Sequence, residues 1–94
     1  MVSNPGELNL LNDSDMLKIT QAIYLKDYQM RVLFNDGACR IFDFEPVIRR
    51  YPAFKELIDI AKLRSYKVSD TIEWDDRIDI APEYVYENGL AVNS

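Results

Sequence analysis

The sequence predicts an α+β domain in which a three-stranded antiparallel meander is packed by one amphipathic helix and followed by short strands and a short C-terminal helix. Three observations predict this fold: alternating apolar and polar residues over 17–44, an Asp36-Gly37 pair inside that alternation, and a change to helical spacing after Pro52. The meander strands are expected at residues 17–25, 29–35 and 38–44. The helix is expected at 52–63, the later strands at 66–69, 72–74 and 78–80, and the last helix at 82–88.

The first strand is indicated by apolar residues at odd positions, Leu17, Ile19, Ile23 and Leu25. A turn at Asp27-Tyr28 would place Ile23 opposite Val32 and Leu25 opposite Met30 on the next strand. We therefore expect these apolar residues on the buried face of the meander.

The second turn is indicated by Asp36-Gly37, because both loop residues of a two-residue type I′ turn need positive φ. That loop would place Asn35 opposite Ala38. The predicted core face then carries Met30, Val32, Phe34, Cys39 and Ile41. The opposite face carries Arg31, Leu33, Arg40, Phe42 and Phe44.

The second half of the chain begins with a helical pattern, in which Pro52 precedes Phe54, Leu57, Ile58 and Ala61 at i, i+3, i+4 and i+7, with a possible break near Asp59. A three-residue loop at 75–77 would then pair Trp74 with Ile78 and Ile72 with Ile80. Pro82 suits the start of the last helix, and Asn88-Gly89 suits a left-handed stop.

The chain length of 94 residues predicts one domain, expected at residues 16–90 between a flexible N-terminal tail at 1–15 and a C-terminal tail at 91–94. The single Cys39 excludes an intramolecular disulfide and is expected to be a buried, inert thiol. The sequence has no apolar run of membrane length and no signal-peptide core. We therefore expect a cytoplasmic protein with no membrane association.

Catalysis has little support in the composition. The chain has no histidine, the commonest general base and metal ligand, and its three glycines form no phosphate-binding motif. We expect no catalytic residues and no cofactor. Acidic residues near the C-terminus could support a divalent-metal-dependent hydrolase, but they lack calcium-loop spacing, and a solvated acidic edge is the simpler interpretation. They are Glu73, Asp75, Asp76, Asp79, Glu83 and Glu87.

A basic group around the predicted helix allows an alternative function in nucleic-acid binding. The group comprises Arg49, Arg50, Lys55, Lys62, Arg64 and Lys67, with Tyr51 and Tyr66 as candidate stacking platforms. Acidic residues interrupt it, and the net charge is −5. Pairing between the basic and acidic zones explains the pattern more simply.

An unidentified protein is the expected partner, and a homodimer is plausible for so small a domain. Six tyrosines and one tryptophan are many for this length, and Tyr84 and Tyr86 cannot both share one helix face with Val85. The candidate interaction surface therefore comprises Trp74, Asp75, Asp76, Arg77, Tyr84 and Tyr86. For Trp74 itself, completion of the core is the simpler expectation.

The order of these motifs resembles a bacterial family known as domain of unknown function 2442, over residues 17–89. The resemblance rests on Asp27-Tyr28, on the segment from Val32 to Asp43, on the helix from Pro52 to Leu57, and on the ending from Trp74 to Tyr86. The sequence departs from the family at Asp75-Asp76-Arg77, where a Pro-Asn-Gly turn is usual. The resemblance implies no established activity. It implies a small stand-alone protein, in some cases encoded beside another short protein in an arrangement that suggests a toxin-antitoxin or regulatory pair. Together with the residues above, it leads us to expect a non-catalytic protein-interaction or regulatory module, such as one half of a toxin-antitoxin-like pair.

Overall fold

The computed structural model describes residues 16–75 and 77–92, which form two antiparallel sheets and three short α-helices in an α+β fold. The first sheet has the strand order β1-β2-β3-β7 and the second β4-β5-β6. The strands are β1 Ile19–Lys26, β2 Gln29–Phe34, β3 Cys39–Asp43, β4 Lys67–Ser69, β5 Thr71–Trp74, β6 Ile78–Ile80 and β7 Leu90–Ala91. The helices are α1 Glu45–Arg50, a 3₁₀ helix Pro52–Ile58, α2 Ile60–Leu63 and α3 Pro82–Asn88.

One hydrophobic core lies between the four-stranded sheet on one side and the helices and second sheet on the other. The inner face of this sheet contributes six buried side chains, and the helices and second sheet contribute Val47, Ile48, Leu57, Leu63, Ile72, Trp74, Ile78, Ile80 and Val85. Edge-to-face aromatic pairs join the two sides, among them Phe44 with Trp74 at 5.5 Å between ring centroids. Trp74 also donates its indole N–H to the carbonyl of Leu63 at 2.8 Å.

The β2-β3 loop has three residues, Asn35 to Gly37, so the predicted two-residue loop is wrong. Leu33 pairs with Cys39, and the Phe34 amide donates to the Ala38 carbonyl at 3.0 Å. Within this loop, Gly37 is the residue with positive φ, 90°, as in a type I turn followed by a left-handed residue. The extra loop residue turns β3 over, so Phe42 and Phe44 face the core, whereas Cys39 and Ile41 leave it.

The predicted turn at Asp27-Tyr28 is present, because Lys26 pairs with Gln29 across it. The predicted register of the rest of β1 is wrong. Irregularities between Tyr24 and Lys26 and between Ile19 and Gln21 shift the pairing, so that Ala22, not Ile23, lies opposite Val32. A hydroxyl from outside the sheet helps to hold this arrangement: Tyr66 donates to the Ala22 carbonyl at 2.8 Å and accepts from the Tyr24 amide at 3.3 Å. Ile23 and Leu25 are consequently exposed.

The predicted helix at 52–63 is divided, and a helix before it was missed. Residues 52–58 form the 3₁₀ helix, and α2 follows after Asp59, whose side chain accepts from the Ala61 amide at 3.0 Å and caps it. The missed helix is α1, which has Pro46 in its first turn and an Arg49–Glu45 ion pair at i, i+4.

The C-terminal half follows the predicted pairing, with Trp74 opposite Ile78 and Ile72 opposite Ile80. The predicted left-handed stop is wrong, because Gly89 has an extended backbone with φ −81°. The chain then forms β7 beside β3, so residues 90–92 belong to the sheet region and not to a tail. The predicted N-terminal tail at 1–15 lies outside the described residues. No helix among residues 16–75 and 77–92 is long and apolar enough to cross a bilayer.

Candidate interaction surface

The side of the four-stranded sheet that faces away from the core, here called the outer face, is largely apolar. Cross-strand pairing arranges it in rows that run across the four strands. The central row is Ile23, Arg31, Ile41 and Leu90. The second row is Gln21, Leu33, Cys39 and Val92, the last placed by its amide, which donates to the Cys39 carbonyl at 3.2 Å.

Four large apolar side chains on or beside the outer face are exposed in the described structure. Leu90 is 72% exposed, Leu25 43%, Ile23 41% and Val92 38%. Single exposed apolar residues are ordinary, but a contiguous group on one face is typical of a binding surface. The group arises from the two register differences described above, which turn Ile23 and Ile41 away from the core.

Arg31 lies at the centre of the outer face, between its cross-strand neighbours Ile23 and Ile41. Its Nε donates to the Cys39 Sγ at 3.3 Å. Within residues 16–75 and 77–92, no carboxylate lies within 4.0 Å of its guanidinium. The arginine therefore gives an apolar face a positive charge that a carboxylate on a bound partner could pair with.

Asp43 supplies the negative charge of the same face. It pairs with Gln29, two residues before Arg31 on β2, and so lies on the diagonal from Arg31. Its Oδ1 accepts from the Glu45 amide at 2.9 Å at the start of α1, and within residues 16–75 and 77–92 no Lys or Arg nitrogen lies within 4.0 Å of its carboxylate.

The candidate interaction residues predicted from the sequence do not form one exposed surface. Trp74 is only 1% exposed and belongs to the core, because its large side chain fills the space between the sheets. Asp75 pairs with Lys62, whose hydrogen bond lowers the pKa of that carboxyl, and Arg77 pairs with Glu56 at 3.2 Å. Asp76 lies outside the described residues.

Tyr86 is half-buried and is held by three contacts. Its hydroxyl donates to Asp36 Oδ2 at 2.7 Å, its ring packs edge-to-face on Phe34, and the Arg40 guanidinium stacks 4.2 Å from its ring centroid. The hydrogen bond to Asp36 raises the pKa of Tyr86. The pKa of Asp36 is lowered by the Ala38 amide and then by Tyr86. The tyrosine thus attaches α3 to the hairpin loop.

Tyr84 lines a mainly apolar groove of about 270 Å³ between the first two helical segments and the start of α3. The other lining residues include Val47, Tyr51, Phe54 and Ile80, with Asp79 as the charged residue. Of the residues predicted as an interaction surface, Tyr84 is the one that borders this groove.

The predicted basic group is divided among several intramolecular contacts. Lys62 lies within 4.0 Å of Glu56 and Asp75, and Arg49 pairs with Glu45 at 2.8 Å. Two other members stack on tyrosines: Arg50 on Tyr51 at 5.8 Å and Arg64 on Tyr24 at 4.9 Å. Lys55 and Lys67 are exposed.

A family model described as a protein of unknown function, DUF2442, matches residues 19–91 of the chain. The chain belongs to the DUF2442 family. The matched region runs from the first residue of β1 to the last residue of β7, so the whole outer face except Val92 lies in the DUF2442 domain. No curated protein and no solved structure gave a significant match.

The described acidic residues of this DUF2442 domain do not converge on one point. Within the described part of the chain, no group of three or more His, Cys, Asp or Glu side chains is placed to hold a metal ion. Glu73 and Asp79 are cross-strand partners of one another, and Asp75 is paired with Lys62.

The outer face was missed in the sequence because its residues look like core residues. Ile23, Leu25, Leu33 and Ile41 continue the apolar alternation, and only the irregular pairing of β1 and the length of one loop distinguish the two sides. Leu90 and Val92 do carry a signal, since two apolar residues follow the helix stop at Gly89 with ordinary strand alternation.

Proposed function

We propose that this DUF2442 domain is a non-catalytic protein-interaction module and that its binding surface is the outer face of the four-stranded sheet. The observation that carries the proposal is the group of exposed apolar side chains on that face, with Leu90 the most exposed. Burial of such a group in an interface is favourable by about 25 cal/mol per Å² of apolar area. A regulatory pairing with another small protein is one form that this binding would take.

The non-catalytic part of the proposal is supported by the composition. The chain has no histidine, and its single thiol, Cys39, is buried beside Arg31 and so is not presented to a substrate. The cytoplasm is the compartment that we propose, because a single buried thiol needs no oxidising environment.

The test is capture of partners by the tagged full chain from its native lysate, with and without nuclease, followed by mass spectrometry. We expect one or more proteins that survive nuclease treatment and are lost with Leu90→Asp. The matched control is Ile58→Asp, which adds the same charge at an exposed apolar residue in the 3₁₀ helix.

Two outcomes would contradict the proposal. Equal capture by wild type, Leu90→Asp and Ile58→Asp would show that the outer face is not the binding surface. Recovery of nucleic acid, with loss of every protein after nuclease, would favour the basic group from Arg49 to Lys67 instead.

A further inference from the structure

We propose that a second copy of this chain covers the outer face, with the two sheets packed face to face about a two-fold axis. This inference rests on the proposed function and specifies the partner for the same surface. Its basis is the positions of Arg31, Asp43, Ile41 and Leu90 on the sheet.

The charges of the outer face can pair reciprocally between two copies. In a two-fold dimer each contact between two different residues occurs twice, once in each direction. Arg31 and Asp43 have opposite charges, lie on adjacent strands of one face, and make no ion pair with any described residue. A single symmetric arrangement can therefore pair Arg31 of each copy with Asp43 of the other.

Reciprocal pairing of Arg31 with Asp43 fixes the position of the two-fold axis. The axis must lie between the two sheets and bisect, at right angles, the line that joins Arg31 to Asp43. We place the Cα atoms on a flat sheet, with strands about 4.8 Å apart and residues about 3.4 Å apart along each strand. Projected onto this sheet, the axis passes within about 2 Å of the Cα atoms of both Ile41 and Leu90. Each of these side chains would then face its own counterpart.

The axis is derived from the two charged residues alone, yet it also brings the apolar residues into contact. The charged and the apolar residues thus favour the same arrangement. Leu90 is the most exposed large apolar residue on the face, and the axis fixed by the charges passes close to it on the edge strand β7, so that it would meet its own counterpart. The same construction carries Ile23 to a point beyond the end of the partner's β3, where it would contribute less. Substitution of Leu90 should therefore weaken the dimer strongly, whereas substitution of Ile23 should weaken it little.

The test is sedimentation velocity of the full chain over a range of concentrations. We expect a reversible dimer in the wild type, and a dissociation constant raised by about 30-fold or more in Leu90→Asp and in Arg31→Asp, the size expected for a buried charge without its partner. Ile23→Asp should change it by only about threefold or less, because its rim position leaves the new charge in water.

The charge exchange is the sharpest form of the test. Asp43→Arg should weaken the dimer as Arg31→Asp does, and the double variant should recover most of the affinity because both reciprocal pairs are restored in reverse. Since Asp43 also accepts a hydrogen bond from the first amide of α1, Asp43→Asn is included as a variant that keeps an acceptor for the Glu45 amide. Circular dichroism confirms that each variant is folded.

A second measurement needs no variant. In methyl NMR spectra of the wild type, dilution should shift the signals of Ile41 and Leu90 and leave those of the core residues Leu57 and Leu63 unchanged.

Three results would overturn the inference. A wild type that is monomeric at every concentration excludes the second copy. A dimer that is unaffected by Leu90→Asp and Arg31→Asp lies on another surface. Methyl contacts from Leu8 or Leu10 to the outer face of a monomer would identify the chain's own N-terminal segment as the occupant. In the first and third cases, capture of a different protein that depends on Leu90 would still uphold the proposed function.

Discussion

Alanine at Gly37 and alanine at Gly89 are expected to destabilise the domain by similar amounts for unrelated reasons. Gly37 has φ +90°, and a Cβ added there would meet nothing within 4 Å. Its cost is backbone strain alone, about 1–2 kcal/mol for a left-handed residue that is not glycine. Gly89 has ordinary φ, but its Cβ would lie 2.9 Å from the Arg40 Cβ and 2.9 Å from the Val85 carbonyl oxygen. That overpacking is expected to cost about 1–3 kcal/mol.

Asparagine distinguishes the two causes. Asparagine tolerates a left-handed backbone, so Gly37→Asn should regain part of the stability that Gly37→Ala loses. At Gly89 the larger side chain meets the same close neighbours, so Gly89→Asn should be no better than Gly89→Ala. The asparagine variant should therefore be more stable than the alanine variant at Gly37 but no more stable than it at Gly89. If one mechanism acted at both sites, the two variants would rank in the same order at both.

Urea unfolding followed by the fluorescence of the single tryptophan, Trp74, measures these differences. With a slope near 1 kcal/mol per M, a loss of about 1 kcal/mol lowers the midpoint by about 1 M. A Gly89→Ala variant within about 0.5 kcal/mol of the wild type, the range of ordinary surface changes, would refute the close approach of α3 to β3. A Gly37→Asn variant as unstable as Gly37→Ala would refute strain as the cause at the hairpin loop.

Three further predictions concern the polar contacts. Tyr86→Phe should destabilise the domain most between about pH 4 and pH 10: the contribution of Asp36 is lost as pH falls through its lowered pKa, and that of Tyr86 is lost as pH rises through its raised pKa. Unfolding midpoints measured across pH should therefore differ least from the wild type at both extremes. Lys62→Met should lower the stability only slightly, and less in high salt, because its pairing with Asp75 is exposed to solvent; urea unfolding at two salt concentrations checks this. Trp74→Phe leaves a buried carbonyl without its donor and should cost about 1–3 kcal/mol in thermal unfolding followed by circular dichroism, where an unchanged curve would contradict the role of that hydrogen bond.

Much of the fold could be predicted from short-range patterns. The turn at Asp27-Tyr28, the pairing of Trp74 with Ile78 and the helix at Pro82 each depend on neighbouring residues, and all three are confirmed. The helix α1 has a local signal in Pro46, because proline suits the first turn of a helix, as it does at Pro52 and Pro82. In contrast, the length of the loop at Gly37 could not be decided, because an Asp-Gly pair suits both a two-residue and a three-residue loop.

The candidate site was harder to predict because it depends on register. A shift of one residue exchanges the two faces of a strand, so a small error in a loop exchanges the predicted core and surface of β3. Between the two irregularities, β1 is contacted by Tyr66, whose hydroxyl donates to the carbonyl of Ala22 across 44 residues of sequence. No pattern within β1 itself indicates that contact. The two tyrosines of α3 are predicted as surface residues, yet both pack on the core. For Trp74 the simpler expectation, completion of the core, is confirmed.

The irregular pairing of β1 leaves the isolated domain locally frustrated. In an evenly paired strand, Ile23 would lie opposite Val32 and be buried; as built, it faces outward with Leu25. Full burial of such a side chain is favourable by about 1.5–3 kcal/mol, and this free energy does not contribute to folding of the monomer. A variant with a regular β1 would bury Ile23 and Leu25 in place of Ala22 and Tyr24, so the two register shifts set how apolar area is divided between folding and assembly.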